Sequence, residues 1–361
     1  MTDEDTSPNR SNRLSSARHP SSSDPHGPDR SPSPARVLSR RDALRLGIGA
    51  LTAGALLPGI FARRVHAHGP ARSTVASLGP EQASRNLILK TIPASGEEIP
   101  AVGMGTWQTF MVEPSEEELA PLREVLRIFY DSGGRVVDSS PMYGNAEEVT
   151  GDLVADLGLL DELWIATKVW TEGRDEGITQ MEQSMSELRR PDSIELMQVH
   201  NLVDVEVHLD TLEAWKAEGR FRYIGVTNTS AQRYPQVEAL LDDERLDFVQ
   251  TNYSLAERQS AERILPKARD RGIGVIVARP FAGGNLFPRV QGRPLPEWAA
   301  EFDCTAWSQF FLKYIISHPA ITCAIPATSN PDHMRENMGA CRGRLPDEPT
   351  RRRMEELIDS L

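Results

Sequence analysis

From Asn86 onward the chain alternates short apolar runs with amphipathic stretches, one pair in about every 30 residues. The first run opens as LILK from Leu87, turns at ASGEE and re-enters as IPAVGMGTW. This predicts a β-hairpin leading into a strand over Val102–Thr106. SEEELAPLREVLRIFY follows, with Ser115 as a helix cap and Glu118 three residues on, a capping box. Leu122, Val125, Leu126 and Phe129 then fall on one helical face. Seven further apolar runs, RVVDSS, LWIATKV, IELMQVH, YIGVTN, DFVQTNY, IGVIVARP and TCAIP, read as strands. Between them, Ile178, Met181, Met185 and Leu188 make one helical face, and Val205, Leu209 and Leu212 another.

Eight strands and roughly eight helices result. Continuous apolar runs mark strands buried on both faces, as in parallel sheets. Eight such units in the final stretch of about 275 residues suit an α/β fold closed as a (β/α)8 TIM barrel, typically about 250 residues, with an N-terminal hairpin. The alternative is an open doubly wound sheet. Against it, Gly103-Met104-Gly105 carries only half of a G-x-G-x-x-G turn, and a polar loop follows rather than a helix.

Residues 1–85 follow different rules. Residues 1–38 are rich in Ser, Pro, Arg and Asp and contain one leucine and no aromatic before Val37, too little apolar surface to offset the entropy of ordering. Residues 39–67 place Arg40-Arg41 before an uncharged run from Leu46 to Ala62, with a cleavage-like Val65-His66-Ala67. That segment resembles a twin-arginine leader, which implies passage of a folded protein through the translocation machinery and an exported, periplasmic or extracytoplasmic location. A silent leader would leave the protein in the cytoplasm. Ala43 stands where such leaders carry a bulky residue, and the stretch before the arginines is long. Residues 68–85 read as a linker and 86–361 as the barrel.

Charge agrees with that division. Residues 1–67 hold 10 arginines against 6 acidic residues, a net +4, and the remainder carries −16. An overall −12 without a basic stripe argues against nucleic-acid binding. No run reaches the roughly 18 to 20 apolar residues of a membrane span. The three cysteines, Cys304, Cys323 and Cys341, read as small buried hydrophobes, and no His/Cys cluster suggests a metal.

The chemistry lies where polar residues end the apolar runs: Asp138, Lys168, His200, Asn228 and Gln250. In a (β/α)8 barrel that edge is the active-site face, so five strands aim polar groups at one mouth. Asp138-Ser-Ser-Pro-Met-Tyr143-Gly144-Asn145, Thr167-Lys168 and Gln198-Val-His200-Asn201 resemble the Asp, Tyr, Lys, His tetrad of the aldo/keto reductases. The likeness runs from Leu87 to about Cys341. It implies reduction of an aldehyde or ketone by a nicotinamide dinucleotide, with Tyr143 as proton donor. A free phenol, near pKa ~10, is a poor acid at neutral pH, and an ammonium beside it favours the phenolate. Lys168 takes that role, Asp138 keeps it charged and aimed, and His200 orients the carbonyl oxygen.

The resemblance also implies a cofactor site without a Rossmann fold, for NADPH, with NADH the alternative. Thr227, Asn228 and Gln250 match positions that hold the carboxamide. Gly283, Gly284 and Leu286 match the pyrophosphate stretch, where glycines allow close backbone approach. Thr328, Ser329, His333, Glu336 and Asn337 match the adenosine-phosphate motif, on a helix that Asn330 caps and Pro331 begins. Many relatives carry Lys at the Ala327 position and Arg at the His333 position to grip a 2′-phosphate; this chain has neither. Many also stack an aromatic ring on the nicotinamide where this chain has Ala278, leaving Arg279 or Phe281 to cover it.

Trp107, Met142, Trp170 and Asn201 match substrate-pocket positions, and two tryptophans suit an apolar or aromatic carbonyl compound. The tail LPDEPTRRRMEELIDSL is polar and offers little to close a deep pocket, so an open site is expected, on a monomer. Two other classes compete. Similar barrels serve as potassium-channel beta subunits, in which a bound nucleotide senses redox state with little turnover. A barrel aldolase or isomerase would instead use Lys168 as a Schiff base.

Overall fold

The computed structural model describes residues 86–361. The extension over 1–38, the leader over 39–67 and the linker over 68–85 lie outside the described residues. The hairpin forms as expected, β1 (Leu89–Thr91) pairing antiparallel with β2 (Glu98–Pro100).

Eight parallel strands follow: β3 (Met104–Gly105), β4 (Val136–Asp138), β5 (Trp164–Val169), β6 (Ile194–His200), β7 (Phe221–Thr227), β8 (Phe248–Asn252), β9 (Gly274–Ala278) and β10 (Cys323–Ala324). Each pairs with its sequence neighbour. Single bridges from Val102 to Ala324 and from Gly105 to Ala327 join the last strand to the first, closing a (β/α)8 barrel.

Helices cover the outside. They are α1 (Glu116–Asp131), α2 (Ala146–Asp156), α3 (Arg174–Glu187), α4 (Val205–Ala217), α5 (Tyr234–Leu240), α6 (Ser260–Asp270), α7 (Leu286–Val290), α8 (Trp307–Ile316), α9 (Pro331–Gly339) and α10 (Glu348–Asp359). Helix α1 starts as its sequence predicts: Ser115 Oγ accepts from Glu118 N at 3.4 Å, and Leu122, Val125, Leu126 and Phe129 are buried. Helix α9 does too, with Asp332 N donating to Asn330 Oδ1 at 2.8 Å.

The tail differs from its reading as a polar end. Asp347 Oδ1 accepts from Thr350 N at 2.9 Å and starts α10, which buries Arg351, Met354 and Ile358. Arg351 donates to Tyr314 O and Tyr253 Oη, both at 2.7 Å, anchoring the helix to the barrel wall. No described tail residue lines the cavity at the carboxyl ends of the strands.

Strand alternation divides the barrel interior into two levels, because residues i and i+2 share a face. At the lower level Val136, Trp164, Leu196, Tyr223, Phe248 and Ile276 pack with Ile92 and Ile99 of the hairpin, which plugs that end. Two to four residues further along the same faces stand Asp138, Lys168, Gln198, His200, Thr227 and Gln250. The apolar floor therefore leads directly to a polar upper layer at the carboxyl ends of the strands.

Candidate active site

The upper layer is built around one buried ion pair. Lys168 is fully buried, and its Nζ donates to Asp138 Oδ1 at 2.7 Å and to Ser139 O at 2.6 Å. Gln250 Nε2 donates to Asp138 Oδ2 at 2.8 Å, and Thr227 Oγ1 donates to Gln250 Oε1 at 3.1 Å. The carboxylate is thus held from two sides. Burial pulls Lys168 down, but the charges of Asp138, Tyr143 and Glu147 outweigh it, so the amine is held above its ordinary value as an ammonium. Sealed beneath the mouth and paired with Asp138, it is placed to act through its charge, an arrangement that lends no support to a Schiff-base reading.

Tyr143 stands above this pair. The loop from β4 to α2 turns twice, with Tyr143 N donating to Ser140 O and Ala146 N to Tyr143 O. Gly144, at φ +56°, supplies the left-handed residue that this return needs. Lys168 Nζ lies 5.4 Å from the centre of the Tyr143 ring. Burial pushes the phenol above its usual value; Lys168 opposes this, and Asp138 adds to it. The expectation that Lys168 brings Tyr143 down therefore holds only for its own contribution, since burial is the larger effect.

His200 meets Tyr143 edge to face, with ring centres 5.9 Å apart. Burial, reinforced by the Lys168 charge, pushes His200 down to about 3, so it is a neutral imidazole at physiological pH. Its Nδ1 lies 2.9 Å from Ser140 Oγ, which already accepts from Met142 N at 3.2 Å. The serine proton is therefore free to be donated to Nδ1, an arrangement that pairs with the tautomer carrying the ring proton on Nε2.

A cavity of about 410 Å³ opens over these groups. Of the residues expected at the site, Trp107, Asp138, Met142, Tyr143, His200, Asn201, Thr227, Gln250, Gly283 and Gly284 line it. Trp170 lies beside it, its ring centre 6.5 Å from that of His200. Trp107, Met142 and Trp170 are all about 40% exposed, so none is core filler. Asn228 is buried outside the lining, and its Oδ1 accepts from Ser230 N at 2.8 Å. Leu286 is fully buried at the start of α7. Thr328 and Ser329 precede α9, and His333, Glu336 and Asn337 lie within it; none of the five lines the cavity. There Thr328 Oγ1 accepts from Asn330 N at 3.0 Å, and Glu336 accepts from Ser308 Oγ at 3.0 Å.

The family model for the aldo/keto reductases matches residues 101–358. The chain belongs to the aldo/keto reductase family. The match passes Cys341 and takes in α10, further than the expected end of the likeness. The chain is 28% identical over 228 residues to Aldo-keto reductase YhdN of Bacillus subtilis (strain 168), covering 59% of this chain and 66% of that one. It is 34% identical over 140 residues to an aldo-keto reductase of Mycobacterium sp. (strain KMS), covering 37% and 47%. It thus spans less than two thirds of the length of these curated relatives. Among solved structures, an aldo/keto reductase from Klebsiella pneumoniae in complex with NADP and acetate superposes with a TM-score of 0.61 at 23% identity, covering 74% of this chain and 95% of that one. The holo form of an aldo-keto reductase from Bacillus halodurans gives 0.59 at 20%, covering 75% and 96%. Both likenesses are of fold.

Two residues of this family member escaped sequence reasoning. Ser140 reads as part of a turn until the fold brings β6 beside it and His200 against its hydroxyl. Glu147, in the first turn of α2 and not singled out in the sequence, is fully buried and accepts hydrogen bonds from Thr167 Oγ1 and, at 2.8 Å, Ser184 Oγ. Burial pushes its carboxyl up to about 7 against those two donors. Its place one turn beyond Tyr143 was the available signal.

Proposed function

We propose that the barrel reduces an aldehyde or ketone to an alcohol with NADPH, NADH being the alternative donor. The observation that carries this reading is the sealed Lys168–Asp138 pair under Tyr143, beside a neutral His200, at the mouth of an open cavity.

The residues fit a dinucleotide. Gly283 and Gly284 form a bed on the cavity lining, at φ +66° and +92°, and a Cβ on Gly284 would meet nothing within 4 Å. An extended phosphate chain needs such a bed. The start of α9 turns the positive end of its helix dipole toward a further phosphate, although Pro331 has no N–H and Asp332 N is already held by Asn330 Oδ1. When bound, the dihydronicotinamide supplies a hydride to the carbonyl carbon. Tyr143 gives its proton to the carbonyl oxygen, and the adjacent ammonium of Lys168 stabilises the phenolate that remains. Asp138 keeps that ammonium charged. His200, protonated on Nε2, donates a hydrogen bond that orients the carbonyl. Trp107 and Trp170 at the rim favour an apolar or aromatic carbonyl compound.

The test titrates NADPH and NADH into the full chain by fluorescence, then follows nucleotide oxidation with a simple aromatic aldehyde. Tyr143→Phe should bind nucleotide normally and abolish turnover; equal turnover in that variant refutes the mechanism.

We infer further that residues 39–67 direct export through the twin-arginine machinery and that the mature protein is a monomer. The paired arginines, the Leu46–Ala62 run and Ala67 support the leader. Replacing Arg40 and Arg41 by lysine should move the protein from the periplasmic to the cytosolic fraction. Sedimentation of the exported form checks the monomer.

A further inference from the structure

The cavity lining carries one cationic side chain among the described residues, and the chemistry above does not use it. Arg279 follows the last residue of β9 and has φ +51°, a left-handed conformation that costs a non-glycine residue about 1 kcal/mol or more. That conformation sends the side chain back over the glycine bed. A Cβ placed on Gly283 would lie 3.1 Å from Arg279 Nη2 and 3.5 Å from its Cζ. The bare backbone of Gly283 thus gives the guanidinium its room, and the side chain is only about one-third exposed.

The guanidinium is also uncommitted. Among the described residues it makes no hydrogen bond, and its one ion-pair partner is Glu257, with Oε1 3.9 Å from Nη2. Glu257 is itself held, accepting from Asn252 Nδ2 at 2.7 Å. Phe281, the other residue expected to cover a nicotinamide, is occupied: its ring packs edge to face on Phe287 and against Phe311, with centres 5.0 and 6.3 Å apart.

We propose that Arg279 is the cation that receives the pyrophosphate of the dinucleotide, reaching across the Gly283–Gly284 bed. This rests on the nicotinamide-dinucleotide reading above. A guanidinium presents five donors in a planar fork, which suits phosphate oxygens. At the adenosine end the corresponding charge is missing: position 327 is alanine and 333 histidine, while Arg335 is engaged by Asp332 at 2.7 Å and Glu124 at 3.4 Å. Charge recognition therefore rests on a group that NADPH and NADH share.

The test measures binding to the full chain by isothermal titration, with no turnover involved. The probes are NADPH, NADH and ADP-ribose, which keeps the pyrophosphate but lacks nicotinamide. Arg279→Gln should weaken all three by a similar factor, about tenfold or more for a lost charge-assisted contact. The wild-type affinity should fall more steeply with added KCl than that of the variant, because one ionic contact is gone. Arg279→Lys should keep part of the affinity, and it serves as the informative variant if Arg279→Gln does not fold. Unchanged ADP-ribose affinity in a variant weakened for NADPH places Arg279 on the nicotinamide ring and overturns the proposal. So does undiminished binding of all three. Absence of nucleotide binding by the wild-type chain refutes the dinucleotide reading itself, a distinct result.

Discussion

Replacing Asp138 by asparagine keeps the size of the side chain and removes its charge. In the structure Lys168 Nζ is fully buried and relies on Asp138 Oδ1 at 2.7 Å, with Ser139 O as its other partner. The variant leaves a buried ammonium without its counterion, which costs about 3–5 kcal/mol. For a domain of this size that is a drop in melting temperature of roughly 5–9 °C. The pH dependence is the sharper part. In the wild type Lys168 is held above its ordinary value, so its contribution is complete at neutral pH and is lost only as pH rises through that elevated value. In the variant, burial should set the direction and depress the amine below its unfolded value. Stability should then rise with pH as the buried amine sheds its proton. Urea unfolding at pH 7 and pH 9.5 measures both effects: a smaller deficit for Asp138→Asn at pH 9.5 than at pH 7 is expected. A variant as stable as the wild type at pH 7, or a deficit that does not narrow, refutes the reasoning.

Three further outcomes follow from the same geometry. Ser140→Ala frees His200 Nδ1 and lets the ring change tautomer; kcat/KM should fall about tenfold, the worth of one hydrogen bond, with ADP-ribose affinity unchanged. The carboxyl of Glu147 is raised to about 7, so its contribution to stability is full below the unfolded carboxylate range and lost as pH rises through 7. Glu147→Gln should flatten that limb, on the order of 3 kcal/mol, in urea titrations between pH 4.5 and 8. Because His200 is held near 3, kcat/KM should show no histidine step between pH 5 and 8, and a step lost in a His200→Asn variant contradicts the neutral imidazole.

The barrel was legible because its strands are buried on both sides and read as unbroken apolar runs. Even strands reduced to two residues, Met104–Gly105 and Cys323–Ala324, sit inside longer apolar stretches. Helix α10 was not legible in that way. Its buried face is Arg351, Met354 and Ile358, and an arginine that reaches Tyr253 and Tyr314 looks in sequence like a solvated charge. The tetrad showed because Asp138, Lys168 and His200 are polar residues ending apolar runs. Ser140 and Glu147 did not, because their roles depend on partners brought close by the closed barrel; Arg279 showed only as one of two side chains to cover a nicotinamide, because its reach over the glycines depends on a backbone angle. Asn228 shows the converse: its position at a strand end was correct, but its carbonyl oxygen serves the following turn.

Closure of the barrel also sets an order of events during synthesis. The bridge from Gly105 to Ala327 ties the first strand to a segment made some 220 residues later. At about 5–20 residues per second, the ribosome needs roughly 10–45 s to deliver that partner. Throughout that interval β3 and the floor of the barrel present unpaired edges and apolar side chains. The barrel of such a nascent chain therefore closes only near the end of its own translation, and slowing elongation prolongs the exposure of that edge.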